Sequence, residues 1–262
     1  MRNVSALAVA LMCAPQIASA QNRDSDSHFE RRLAAGQRVH ARNINGDIVV
    51  TPSSSGRVEI VGVRRGSSRS ADRLNAQVTE TSDGLMVCVV REDSDDECDG
   101  NGHHHRGEDD DWGRASMNLE IKLPSNIEID ASSVSGNVEV IGAQGKVRAG
   151  SVSGDIRLER LRAASVEARS VSGEISASIE SLTGSGTLSF KSVSGGVKLD
   201  LPRGLDADLS MSSVSGQLDS EFQMTLGGRT SRRRIEARIG RGGRDLDVTT
   251  VSGDVRLRVN KD

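Results

Sequence analysis

Aromatic residues are nearly absent from this chain: its 262 residues include no Tyr, three Phe and one Trp. A core built without them must be thin and lined by Val, Ile, Leu and Ala. No long stretch places apolar residues at i, i+3, i+4 and i+7, so amphipathic helices are poorly served. Beyond the first twenty residues no apolar run approaches the roughly 20 residues of a membrane-spanning helix. Cysteine is scarce, at three. The sequence has no Walker loop, dinucleotide fingerprint, HExxH or CxxC, so it lacks the marks of nucleotide binding, zinc proteolysis and dithiol redox chemistry. What it has instead is glycine, 28 residues of it, and many serines. The length suits one large or two small domains, and the composition favours short, regular strands.

The first twenty residues set the expected compartment. Arg2 is a positive n-region, Val4 to Ala14 an apolar h-region, and Ala18-Ser19-Ala20 a cleavage signal; together they predict a signal peptide over 1–20, cut before Gln21. Met12 stands where a lipidated Cys13 would want a small residue. The protein is therefore expected to be exported, to the periplasm, the cell surface or the medium. Cys88 and Cys98 remain, an even pair ten positions apart in an oxidising compartment, and a disulfide closing a short loop is expected.

One motif recurs. It reads Ser133-Val134-Ser135-Gly136-Asn137-Val138, then SVSGDI from Ser151, SVSGEI from Ser170, SVSGGV from Ser192, SVSGQL from Ser213 and TVSGDV from Thr250. A divergent copy, Asn43-Ile44-Asn45-Gly46-Asp47-Ile48, lies nearer the N-terminus. Successive valines from Val134 to Val214 fall 18, 19, 22 and 21 residues apart, and the last gap, to Val251, is 37. That gap implies a degenerate copy or an inserted hairpin.

After each Gly the side chains alternate. Val138 and Val140, Ile156 and Leu158, Val197 and Leu199, and Val255 and Leu257 would share one face, with Glu139, Arg157, Lys198 and Arg256 on the other. Ile127, Ile129 and Ala131, and Val147 and Ala149, alternate upstream, and the phase slips at the Ser before each Val, as at a bend or bulge. A unit of about 20 residues cannot bury its apolar face alone, but stacked units can. The predicted fold is all-β, a repetitive β-solenoid or β-helix-like stack of SVSGD-type repeats. An antiparallel sandwich is the competing architecture.

The repeated SVSGD, closed by Asp247-Val248-Thr249-Thr250-Val251-Ser252-Gly253-Asp254-Val255, resembles the bacterial DUF4097 adhesin-like family over roughly residues 36 to 259. The resemblance implies a β-helix-like envelope protein and carries across no catalytic residues.

Domain organisation follows: a signal peptide at 1–20, a flexible N-terminus at 21–35, and one solenoid domain at 36–262 with an acidic, His-rich insertion at 91–114. Gln37 to Val50 is expected as an N-terminal coil, Arg57 to Val63 and Leu85 to Val90 as strands, and Ser67 to Glu80 as the one place for a short helix. The insertion holds ten acidic residues, the only Trp (Trp112), and His103, His104 and His105. Such a run cannot fold alone and reads as a surface loop. Its imidazoles offer weak divalent-metal binding, although adjacent histidines cannot all face one ion on a regular backbone. No cofactor is expected otherwise. A calcium ladder along Asp47, Asp155, Glu174 and Asp254 is interrupted by Asn137, Gly196 and Gln217, which favours a solvent-facing turn. Arg229, Arg232, Arg233, Arg234, Arg238, Arg241 and Arg244 could meet an anionic surface. Because Ile235, Ala237 and Ile239 alternate among them, a two-sided hairpin strand accounts for the same residues.

A serine present in every coil is a ladder, whereas a nucleophile occurs once beside a base. In sequence neither His28, His40 nor the triplet is tied to a Ser or Asp. The expected function is that of a non-enzymatic envelope scaffold, adhesin-like, binding an unidentified envelope partner or surface. Nucleic acid is not expected as a partner, since stacking aromatics are lacking. A homo-oligomer is among the expected states, because an open stack end can recruit another chain. The alternatives are a metal-buffering or sensing accessory acting through the His/Asp loop, and a polysaccharide-active β-helix enzyme.

Overall fold

The structure, a computed structural model, describes residues 27–66, 71–91, 98, 115–227 and 230–260. The chain enters through β1 (Ser27–Arg31) and a first coil, β2 (Arg38–Asn45) with β3 (Ile48–Pro52). An excursion follows through β4 (Val58–Arg65), a 3-10 turn at Ala71–Arg73, β5 (Leu74–Thr81), β6 (Gly84–Arg91) and β7 (Ser116–Leu123). Four regular coils come next: β8 (Glu128–Ser135) with β9 (Val138–Ile141), β10 (Val147–Ser153) with β11 (Ile156–Ala163), β12 (Val166–Ser172) with β13 (Ile175–Leu182), and β14 (Leu188–Ser194) with β15 (Val197–Leu201). The chain ends with β16 (Ala207–Ser215) and β17 (Leu218–Ser220), the hairpin β18 (Met224–Leu226) and β19 (Arg234–Ile239), and a last coil, β20 (Asp245–Ser252) with β21 (Val255–Val259).

Each coil thus gives one strand to a leading sheet, before the SVSG corner, and one to a trailing sheet after it. The leading sheet runs β18-β19-β16-β20-β14-β12-β10-β8-β2-β6-β5, and the trailing sheet β1-β4-β7-β3-β9-β11-β13-β15-β21-β17. Between coils the pairing is parallel and in register: Ala149 sits between Ala131 and Ala168, and Ser151 between Ser133 and Ser170. Like therefore stacks on like, as the solenoid reading requires. Among the described residues antiparallel pairs occur only towards the ends, where β1, β4 and β7, β5 and β6, and β16, β19 and β18 pair.

Burial explains the sequence alternation. Val138, Val140, Ile156, Leu158, Val197, Leu199, Val255 and Leu257 are all buried, facing Ile129, Ala131, Val147, Ala149, Val166 and Ala168 of the leading sheet. The core is thin, with Ala common opposite the larger aliphatics, and Phe190 fills it as its largest fully buried side chain.

Four expectations are corrected. The phase slip falls two residues later than expected: Ser133 is buried in phase and Val134 exposed in phase, and it is Ser135-Gly136 that turn the corner. The segment thought able to form a helix is instead strand β5 after a single 3-10 turn, because β6 offers it an antiparallel partner along its whole length. Within the N-terminus read as flexible, Ser27–Arg31 forms β1 against β4. The coil read as N-terminal is not the end of the stack: β2 lies between β6 and β8, and β3 between β7 and β9. The other end mirrors it. β20 lies between β14 and β16, and β21 between β15 and β17, so the last coil in sequence is the penultimate one in space. The 37-residue gap is filled by the hairpin alternative, β18 and β19.

Candidate binding surfaces

The corner shows why the motif repeats. Gly46, Gly136, Gly154, Gly173, Gly195, Gly253 and Gly216 stack so closely that a Cβ on any of the last six would overlap the carbonyl of the stacked glycine. The preceding buried hydroxyl ties the same carbonyls: Ser133, Ser151, Ser213 and Thr250 donate to Gly46, Gly136, Gly253 and Gly195 at 3.0 to 3.1 Å. The residue after four of these glycines links coils in turn. Asp47, Asn137 and Asp155 accept from the backbone N–H of Asn137, Asp155 and Glu174 at 2.8 to 2.9 Å, and Asp254 from Gln217 at 3.0 Å. Asn118 of β7 starts this series by accepting from Asp47, a member the motif search missed because β7 lacks the SVSG signature. An amide oxygen accepts as well as a carboxylate, which is why Asn137 interrupts the acidic series without breaking the ladder. Ser133, Ser151, Ser213 and Thr250, with Asp47, Asp155 and Asp254, thus hold the ladder together, whereas Ser170 and Ser192 keep the buried hydroxyl without a hydrogen bond and the Glu174 carboxylate pairs with Lys198.

Val134, Val152, Val171, Val193, Val251 and Val214 point the other way. They are 44% to 55% exposed and form one stripe along the corner.

A second surface lies on the outer face of the trailing sheet. Ahead of Glu180, which pairs with Arg162, strand β13 presents Ser176 and Ser178 outward, between Arg157 and Glu159 of β11 and Lys198 and Asp200 of β15. Small side chains between long ones leave a trough. At its wall β11 bulges: Glu159 and Arg160 together oppose one residue of β13, and Arg160 takes a left-handed φ of 52°. A bulge re-aims side chains, and a left-handed non-glycine residue there is strained. Two lobes of about 270 and 520 Å³ share Ser178 and Asp200, and the larger adds Glu221, Arg258 and Asn260. By register Asp200 sits between Ser178 and Arg258, yet among the described residues Asp200, Arg258 and Arg160 form no ion pair. The signal was legible in retrospect, since apolar spacing lengthens from two to three between Leu158 and Leu161.

The remaining polar groups are mostly satisfied within the chain. His40, untied in sequence, has Nε2 3.0 Å from Asp83 and Nδ1 3.6 Å from Asp130. Asp83 is held below the usual carboxylate range by that hydrogen bond and by one from Thr81. Arg38 pairs with Glu128 at 2.6 Å and Arg42 with Asp130 at 2.9 Å. No serine joins this network, so it reads as an ionic lattice on the outer face of β2 and β8.

The arginine cluster proves largely internal. Arg234 pairs with Glu236, Arg238 with Asp208 and Arg241 with Asp206. Asp206 lies below its ordinary value through the Arg241 backbone N–H and guanidinium, and Asp208 through the Gly243 N–H and Arg238. Arg244 is buried and donates to the carbonyls of Ala164, Thr183, Gly184 and Gly186. Burial pushes its pKa down. It pins two loops together and is closed to an external anion.

Cys88 and Cys98 form the expected disulfide. His103, His104, His105 and Arg229 lie outside the described residues. Among the described residues no three His, Cys, Asp or Glu side chains converge as for a metal ion, and no helix is long and apolar enough to cross a membrane.

Two sheets of in-register coils, joined at a glycine corner, define a β-solenoid. The sequence model of the Toastrack DUF4097 family matches residues 143–258, within these repeats. A solved structure of a candidate cell adhesion protein from Clostridium sporogenes ATCC 15579 shares the fold at a TM-score of 0.51 and 8% identity, covering 90% of this chain and 100% of that one. A candidate adhesin from Bacteroides fragilis NCTC 9343 aligns over 90% of this chain and 97% of its own at 10% identity, with a TM-score of 0.38 that is too low to carry an argument. No curated protein gives a match.

Proposed function

We propose that this chain is an exported, non-catalytic scaffold of the cell envelope that binds a surface or partner in the manner of an adhesin. The observation that carries the reading is the trough on the trailing sheet. Its Arg160, Asp200 and Arg258 form no ion pair among the described residues, while neighbouring charges such as Lys198 with Glu174 and Arg162 with Glu180 are matched across strands. Unpaired guanidinium and carboxylate groups over a serine floor suit a polar, polyhydroxylated or zwitterionic ligand, and the rigid stack holds them without reorganisation. The cell adhesion protein that shares the fold supports the same direction, and the signal-like first twenty residues support export. The serine hydroxyls that bind corner carbonyls argue against a nucleophilic role for the repeated serine.

The test is retention of the purified, oxidised protein on sedimented bacterial envelope fragments. The triple variant Arg160→Ala, Asp200→Asn, Arg258→Ala should bind at least about tenfold more weakly with an unchanged melting point, as loss of charge-assisted contacts implies. Equal binding by the variant would move the site away from the trough. Absence of binding by the wild type would remove the adhesin reading.

A further inference from the structure

The valine stripe has a feature that neither the fold nor the trough explains. In the leading strands, the inward position two before the buried hydroxyl runs Ala131, Ala149, Ala168, Phe190, Val248 and Met211 from coil to coil. The outward position between them runs Ser132, Gly150, Arg169, Lys191, Thr249 and Ser212. Both vary freely. The half-exposed corner position is Val in all six coils, and Ile44 occupies it in β2. A surface position held apolar while the core drifts answers to something outside the stack.

We propose that the stripe is a self-association surface whose partner is the same stripe on a second copy of this chain. Six valines on adjacent parallel strands are spaced at about 4.8 Å, so the row extends roughly 24 Å. A continuous fit along it requires a partner with apolar side chains at the same interval, and another copy has that interval by construction. Two stripes laid antiparallel about a two-fold axis place each row between the residues of the other, an isologous contact with the dry interdigitation of a side-chain zipper. Ser135, Ser153, Ser172, Ser194, Ser252 and Ser215 flank the valines and are exposed, so small side chains border the approach on that side, while Arg169 and Lys191 are the long ones in the row on the other. With residues 1–20 removed on export, a premise taken from the proposed function, the chain's stretches at 92–114 and 21–26 do not suit the row: the first is acidic with one Trp and the second polar.

The area sets the strength. Six half-exposed valines present on the order of 400 Å² per copy, within the size of a functional patch and about half of one side of a standard interface. Association should therefore be reversible and weak, with a Kd on the order of 100 μM. The stripe lies at the corner, away from the trough, so trough variants should leave it intact and the two proposals fail separately.

Sedimentation velocity on the exported, disulfide-intact protein provides the test, from about 1 μM to about 1 mM, a range chosen to bracket that affinity. The weight-average mass should rise towards the dimer. In Val152→Thr, Val171→Thr, Val193→Thr, which keeps the β-branch and removes the apolar methyl surface, association should weaken at least about tenfold with unchanged melting. A wild type that stays monomeric at the upper limit, or a variant that associates equally well, overturns the proposal. Should the triple variant fold poorly, spin labels decide instead: Ser172→Cys should give a short distance between copies and Glu139→Cys, on the trailing sheet, should not. The reverse pattern also overturns it.

Discussion

At the scale of single residues, the corner glycine is the most constrained position in the repeat. Its place in the motif follows from close approach, because a side chain at Gly154 would occupy the space of the Gly136 carbonyl. Gly154→Ala should therefore cost more than about 2 kcal/mol, the range of substitutions that force backbone to move. Gly204→Ala, where a Cβ would meet nothing within 4 Å, should stay within about 0.5 kcal/mol of wild type. Urea unfolding of both variants checks the pair, and equal losses would show that the ladder tolerates a methyl group. The serine and Asx positions are less strict, since Thr250 and Asn137 serve as well as Ser and Asp.

At the scale of elements, the 206–244 region is a clasp built on two carboxylates. Asp206 binds the N–H and guanidinium of Arg241 in the turn that follows β19, and Asp208 the Gly243 N–H of that turn and the guanidinium of Arg238 within β19. Because both pKa values are depressed in the fold, the unfolded chain takes up protons first as pH falls. Their stabilisation is complete above the ordinary aspartate value of about 4 and is lost as pH drops through the folded values. Amide exchange of β19 should accelerate in that acid window while β12 stays protected, and Asp206→Asn with Asp208→Asn should remove the pH step. The insertion at 91–114 is anchored by Cys88–Cys98 where it leaves β6. For its histidines we expect zinc binding weaker than about 1 μM, since a loop must be ordered around the ion. Calorimetry of the wild type beside His103→Ala, His104→Ala, His105→Ala reads this. Tight stoichiometric binding lost in the variant would instead establish metal handling.

At the scale of the whole molecule, both ends of the chain are threaded. An ordinary repeat array adds coils in sequence order, so its terminal coil can be removed with little effect on the rest. Here β20 and β21 separate β16 and β17 from the regular coils. Deleting residues 245–262 should therefore unfold β16 to β19 too, although they precede the cut. Hydrogen exchange should show protection lost over 207–239 and kept over β8 to β13. Retained protection of β16 would mean that it can dock directly on β14.

The sequence by itself determined the repeat, its two strands, its inward and outward faces, and the disulfide. These are local matters, fixed by side-chain alternation and by a glycine recurring every coil. It could not reveal the interleaved ends, because the order of identical coils depends on long-range pairing, and every coil offers nearly the same edge. The trough escaped notice for a related reason: Arg160, Asp200 and Arg258 lie on three coils far apart in sequence, and only stacking brings them together. The hydrogen bond of His40 with Asp83, 43 residues away, is likewise a product of register between β2 and β6. Alternation can be read along one strand, but adjacency between strands exists only after the sheet has closed.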